Sequence, residues 1–235
     1  MTTISTNLQA VKRRIIDACS AAGRDPGTVR LLAVSKTFPA QAVREAHAAG
    51  QRAFGESYVQ EALAKQSELA DLALEWHFIG PLQSNKTKAV AGHFAWAHSV
   101  ERLKIAERLA AQRPADLPRL NVCVQVNVSG EATKSGCAPE EAPALCRAVA
   151  KLPNLMLRGL MTIPEPGRGD AAENSALARR QFSLLRELFE RIRQDGLALD
   201  TLSMGMSHDL EEAIMEGATI VRVGTAIFGE RNYTT

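Results

Sequence analysis

Hydrophobic positions along the chain follow two alternating rhythms. Leu8, Val11, Ile15, Ala18 and Cys19 recur at helical spacing between Asn7 and Ala22, and Gly23 stops that helix. The run Val29–Lys36 is different: short, apolar and rich in branched residues, with Thr37-Phe38-Pro39 behind it. It reads as a buried strand that ends at Lys36 in a turn. The two patterns then repeat. Strands are predicted over Arg52–Glu56, Glu75–Ile79, His93–His98, Arg119–Asn127, Leu155–Met161, Leu199–Met204 and Thr219–Val223. Helices are predicted from Pro39 to Ala49, Tyr58 to Leu69, Ser84 through Lys88, Val100 to Ala111, Pro139 to Lys151, Asn174 to Gln194 and His208 to Met215. A last short helix begins at Gly224-Thr225. Ser57 and Ser99 are read as caps of the helices that follow them. The stripe Phe182, Leu185, Leu188, Phe189 and Ile192 faces a core.

Eight strands, each followed by a helix and never by another strand, make a parallel sheet with crossover connections. Eight such units in 235 residues favour a closed (β/α)8 barrel of the TIM type over an open doubly wound sheet. No break in composition divides the chain, so residues 1–235 are read as one domain. The helix before the first strand is expected to cover the bottom of the barrel.

Composition narrows the classes. Hydrophobic residues make up 46% and charged residues 23%, ordinary for a soluble globular protein, and the net charge of +2 implies no strongly charged partner. Two Trp, two Tyr and seven Phe are too few for a base-stacking surface, so no nucleic acid is expected. Cys19, Cys123, Cys137 and Cys146 form no CxxC pair and no zinc spacing, and read as reduced thiols of a cytoplasmic protein. The N-terminus has neither the basic start nor the apolar core of a signal peptide, and no apolar run is long enough to span a membrane.

In a barrel, all strand ends converge on one mouth. Lys36 sits at the first of them. A lysine held against apolar walls loses its proton more readily, and a neutral amine can attack a carbonyl to form an imine. Most strand-end lysines are merely solvated, so the neighbours decide. Arg222 lies in the last strand, beside the first. Gly224-Thr225 and Ser203-Met-Gly-Met-Ser207 both lead into helices, after strands 8 and 7, where many barrels bind phosphate. Either loop alone is as well explained as a capped helix. An imine-forming lysine, a phosphate site and a cationic ring partner together point to pyridoxal 5′-phosphate (PLP). His77 is by default a core histidine, His208 a helix-start residue, and Lys86-Thr-Lys88 a solvated face.

Particular segments carry a resemblance. They are Leu31–Thr37 (LLAVSKT), Phe54–Glu61 (FGESYVQE), Trp76–Lys86 (WHFIGPLQSNK), Gln125–Asn127, Lys134–Gly136, Arg158–Thr162 (RGLMT), Leu202–Ser207 (LSMGMS) and Val221–Gly229 (VRVGTAIFG). In this order they resemble the pyridoxal phosphate homeostasis protein family, itself similar to the barrel domain of alanine racemase and of fold-type III decarboxylases. The resemblance implies a fold-type III PLP-binding barrel with an extra N-terminal helix. It implies that Lys36 is the Schiff-base lysine, that Ser207, Gly224 and Thr225 bind phosphate, that Arg222 faces the pyridine nitrogen and that Met206 lines the cofactor. Ser57, which stands where the family often has Asn, is implied to contact the cofactor as well, as a hydrogen-bond donor of shorter reach; Pro81 stands where the family often has His, and both bear on fine details of the pocket. Lys134, in the loop after strand 5, is a candidate for a substrate or a second cofactor molecule, against the plainer reading of a solvated lysine.

The implied function is a PLP carrier that maintains vitamin B6 and amino and keto acid balance and passes cofactor to apo-enzymes, without catalytic turnover. The alternative is a racemase-like PLP enzyme. A racemase needs a second acid or base across the cofactor. In alanine racemase that tyrosine comes from a C-terminal domain, whereas this chain is expected to stop after the barrel with only Tyr58 and Tyr233. A cofactor-free aldolase lacks a paired acid and base. A monomer is expected.

Overall fold

In the computed structural model, which describes residues 3–130, 135–165 and 167–230, eight parallel strands close into a barrel in sequence order. They are β1 (Arg30–Val34), β2 (Ala53–Glu56), β3 (Glu75–Phe78), β4 (Trp96–Val100), β5 (Leu120–Gln125), β6 (Leu155–Met161), β7 (Thr201–Ser203) and β8 (Ile220–Val223). The ring closes where β1 pairs with β8, Leu32 opposite Arg222. The helices are α1 (Thr3–Ala21), α2 (Ala40–Ala48), α3 (Val59–Glu68), α4 (Thr87–His93), α5 (Leu103–Gln112), α6 (Ala142–Val149), α7 (Ala171–Gln194), α8 (Leu210–Met215) and α9 (Thr225–Phe228).

The period of two along each strand sorts side chains between two cores. Ala33, Phe54, Phe78, Ala97, Val122, Val124, Leu160 and Val221 point outward and pack under the helices. Leu32, Ala53, Trp96, Cys123, Met161 and Ile220 fill the barrel itself. The α7 stripe of Phe182, Leu185, Leu188, Phe189 and Ile192 is buried throughout, as its spacing predicts.

Several boundaries differ from the sequence reading, each for a local reason. The first strand stops at Val34, two residues before Lys36. His93 is the last residue of α4, and the fourth strand runs instead through His98 to Val100. Ser99 is therefore in a strand and caps nothing; its hydroxyl donates to the Gly80 carbonyl at 2.5 Å. Ser57 does not cap α3 either. Its backbone lies so close to Gly80 that a Cβ there would sit 2.3 Å from the Ser57 carbonyl oxygen, and Tyr58 takes the cap position. α4 begins at Thr87 rather than Ser84. α7 starts earlier than its apolar stripe, because Asp170 and Glu173 form a capping box. Nor does α1 cover the bottom of the barrel. It lies in the helical layer, packed against α2, α8 and α9. Asn7 donates to the Ile227 carbonyl, and Arg24, just past its other end, to the carbonyls of Ile214 and Ala218.

Inside the barrel, polar groups interrupt the apolar layer. Glu75 Oε1 pairs with Arg30 at 2.9 Å and with His77 Nε2 at 2.6 Å. His77 Nδ1 meets His98 Nε2 at 2.9 Å, and His98 Nδ1 meets Ser203 Oγ at 2.8 Å. Burial pushes the His77 and His98 imidazoles down from their ordinary value, which disfavours their protonated forms in the folded chain. Unfolded, they take up protons near pH 6.5. The unfolded chain therefore binds more protons as the pH drops below that value. Stability is expected to fall there by about 1.4 kcal/mol per pH unit for each histidine held neutral, and to level off above it. Urea titrations between pH 5 and 7.5 check this; an unchanged midpoint over that range would contradict it.

Candidate functional site

The C-terminal ends of β1, β7 and β8 frame a cavity of about 260 Å³, lined by Val34, Lys36, Ile79, Ile163, Met206, Ser207, His208, Arg222, Gly224 and Thr225. Six of the seven residues singled out from the sequence are on this wall: Lys36, Met206, Ser207, Arg222, Gly224 and Thr225. Ser57 is not on it; it is buried, with its backbone against Gly80. Lys134 and Tyr233 lie outside the described residues.

Lys36 reaches the cavity because it continues the parity of Arg30, Leu32 and Val34 beyond the end of the strand. Both of its peptide groups are held from α3. Lys65 Nζ donates to the Ser35 carbonyl at 2.7 Å, and the Thr37 N–H donates to Glu61 Oε1 at 2.6 Å. Lys65 and Glu61 are joined to each other at 2.5 Å. Thr37 adopts φ 70°, a left-handed conformation that β-branched residues rarely take. Such strain costs about 1–3 kcal/mol and persists only where the surroundings over-determine it; the Glu61 bond is part of that hold. Below the turn, Ser35 Oγ and Lys65 Nζ both donate to the buried Glu56 carboxylate, at 2.6 and 2.8 Å. Burial pushes the Glu56 carboxyl up, while Lys65 and Ser35 pull it back down.

The opposite wall comes from the turns after β7 and β8. Gly205 takes φ +92°, and a Cβ there would lie 2.5 Å from the Ala213 Cβ, so the turn needs glycine. Asp209 Oδ1 accepts from the Met206 N–H at 2.5 Å, and burial pushes its carboxyl up. Arg14 of α1 clamps Glu211 with two bonds, at 2.7 and 2.8 Å, and donates to the Ser207 carbonyl at 3.1 Å. Ser207 Oγ in turn accepts from the Ala226 N–H at 3.4 Å, which ties this turn to the next. α9 spans only four residues, so its contribution is a few local amides, which a first turn leaves without helical partners, rather than a macrodipole. Gly224 allows the close approach: a Cβ there would meet the Val34 carbonyl oxygen at 3.2 Å.

Arg222 is 4% exposed. It donates to Ser203 Oγ at 3.0 Å and to the Thr162 carbonyl at 2.8 Å. Burial pushes it down to about 10, which leaves it a cation at neutral pH. No carboxylate is among the described residues on the cavity wall. The lining thus supplies an amine, two hydroxyls, backbone amides and a guanidinium, a donor set suited to an anionic ligand with an electrophilic group.

The sequence reading assigned no site role to Val34, Ile79, Ile163 and His208. Val34 and Ile79 were available from strand parity, since they share faces with Lys36 and His77. Ile163 and His208 sit in loops, where no period applies.

The family model for the N-terminal domain of alanine racemase matches residues 6–232. The pyridoxal phosphate homeostasis protein of Pseudomonas aeruginosa is 67% identical over 233 residues, covering 99% of this chain and 98% of that one. The Escherichia coli protein of the same name is 51% identical over 240 residues, covering 100% and 99%. Among solved structures, PipY of Synechococcus elongatus with PLP bound is 41% identical with a TM-score of 0.79, covering 96% of this chain and 100% of that one. Alanine racemase from Corynebacterium glutamicum, at 20% identity and a TM-score of 0.70, shares the fold over 99% of this chain and 63% of its own length. With identity of this extent running end to end over the same barrel, the chain belongs to the pyridoxal phosphate homeostasis protein family.

Proposed function

We propose that this chain, as one unit over residues 1–235, binds PLP at the mouth of the barrel and serves intracellular vitamin B6 balance, with effects on amino and keto acids. The observation that carries the reading is the meeting of Lys36, Met206, Ser207, Arg222, Gly224 and Thr225 around one cavity without a carboxylate. The names of the relatives, and the PLP held by the Synechococcus elongatus protein, point the same way. The Lys36 amine would condense with the aldehyde of the cofactor, losing one water, and so hold it as a Schiff base. Ser207, Thr225 and the amides that follow Gly224 would take the phosphate, while Met206 and Val34 exclude water beside it. Arg222 would donate to the ring nitrogen. A guanidinium keeps its proton, so the ring gains no full positive charge there and remains a weak electron sink. That suits holding and release to apo-enzymes better than general amino-acid chemistry. The four buried, unpaired cysteines suit a reducing cytoplasm, and no helix among the described residues is long and apolar enough to cross a membrane. A monomer completes this reading.

A racemase-like enzyme is the second reading, and one observation favours it: His208 lines the cavity together with Lys36. Tyr58 does not line it; it is 53% exposed at the start of α3. Incubation of the PLP-loaded protein with L-alanine in deuterated water separates the two readings, because only the enzyme exchanges the α-proton.

The first experiment is the visible spectrum of the protein incubated with PLP, followed by borohydride reduction and peptide mass mapping. A pyridoxyl adduct on Lys36 is expected. A colourless protein that remains unmodified would overturn the assignment.

A further inference from the structure

Five side chains form one hydrogen-bonded line through the barrel interior: Glu75, His77, His98, Ser203 and Arg222. With both imidazoles neutral, as their burial favours, the direction of every proton along it follows from the two ends. A carboxylate only accepts, and a guanidinium only donates. His77 Nε2 therefore carries the proton shared with Glu75, and its Nδ1 is a lone pair. His98 Nε2 must then carry the proton shared with His77, which leaves His98 Nδ1 to accept from the Ser203 hydroxyl. With its own proton committed, Ser203 turns a lone pair toward Arg222 Nη1. Reversing any single link sets two donors or two lone pairs face to face.

We propose that Glu75, His77, His98 and Ser203 are positioning residues for Arg222: a proton-ordered chain, anchored on a carboxylate at the bottom of the barrel, that fixes how the guanidinium is presented to the cavity beside Lys36. The use of that guanidinium rests on the PLP-binding reading above; the proton order does not. The Thr162 carbonyl holds a second guanidinium nitrogen, so two edges of Arg222 are committed within the barrel. The surroundings favour neutral imidazoles. Trp96 stacks on His77 at 5.3 Å with 5° between the rings, and Arg158 lies 5.0 Å over the Trp96 ring. Cys123 of β5 is buried and its thiol is pushed up, so it is uncharged. The charges that face the pair are Arg30 and Glu75 at one end and Arg222 at the other, with Asp209 beyond it. A proton added to either ring would force His98 to donate toward Ser203, and Ser203 would then have to accept from both sides.

The test has two arms on the full-length chain. In the first, the ¹⁵N-labelled protein without added cofactor is examined by long-range ¹H–¹⁵N NMR at pH 7.5. Only five histidines are present, and His77→Gln and His98→Gln assign the two signals. Both rings are expected to be neutral and protonated on Nε2. A ring that is charged, or protonated on Nδ1, overturns the proposal, whatever the protein binds. In the second arm, PLP affinity and the visible spectrum are compared for His77→Leu, His77→Gln and Ser203→Ala. His77→Leu and Ser203→Ala are expected to weaken PLP about tenfold, the scale of one hydrogen bond to a charged group. His77→Gln, whose amide offers both an N–H and a carbonyl, should recover most of the loss. Equal affinity in all three, or equal loss in His77→Leu and His77→Gln, would show that the line only fills space. If the unaltered protein forms no PLP adduct, the functional reading fails while the first arm still decides the proton order.

Discussion

Lys36→Ala is expected to abolish the borohydride-fixed PLP adduct and leave the barrel intact. Among the described residues, Lys36 is the one lysine that lines the cavity. The phosphate and ring contacts would remain, so residual binding becomes reversible and the cofactor is lost on gel filtration. Loss of the covalent link is expected to weaken retention about a hundredfold or more, about 2.7 kcal/mol. Lys36 is only partly buried, so the substitution should change stability by less than about 1 kcal/mol. The check is the visible spectrum and a mass map after reduction, beside far-ultraviolet circular dichroism. A variant that still yields a reduced pyridoxyl adduct would remove Lys36 from its assigned role.

The second large effect is expected away from the cavity. Lys65→Met should cost about 3–5 kcal/mol, because it strips the cation from the buried Glu56 carboxylate. A domain holds a margin of about 5–15 kcal/mol, so the loss should show as a steep drop in the urea midpoint. The change also frees the Ser35 carbonyl and the Glu61 side chain, which flank Lys36 on either side. PLP adduct formation on Lys36 should therefore slow even under conditions where the variant stays folded. Lys65→Met combined with Glu56→Gln removes both charges at once, and should recover part of the stability without restoring the hold on the Ser35 carbonyl. A midpoint equal to that of the unaltered protein would show that the buried pair contributes nothing.

These two lysines also show how far a sequence can be read. Lys36 stands out because it closes an apolar run and is followed by a turn. Lys65 looks like an ordinary helical lysine, four residues after Glu61, in the usual spacing of a solvated pair. Burial alone would choose Lys65, which is 4% exposed and more deeply buried than Lys36. Its three hydrogen bonds commit it to Ser35, Glu56 and Glu61, and that is invisible until β1, β2 and α3 are placed side by side. Likewise His77 reads as a core histidine, and only the ring of strands sets it in line with His98 and Ser203.

The sequence by itself determined the alternation of strand and helix, hence the parallel barrel, and it placed Lys36, Arg222 and Gly224-Thr225 at or just beyond the C-terminal ends of the first and last strands. Those are local properties: period, turn chemistry and the run of apolar residues along one segment. It also determined the family, through segments such as LLAVSKT and VRVGTAIFG. The tertiary structure decided what is set by pairs of segments far apart in the chain. It moved Ser57 off the cavity wall, laid α1 along the helical layer instead of under the barrel, and turned Ser99 toward Gly80. It joined Glu61 and Lys65 around Lys36, and it ran a hydrogen-bonded line from Glu75 to Arg222. Each of these depends on which side chain a closed ring of strands brings opposite which, and no single segment carries that information.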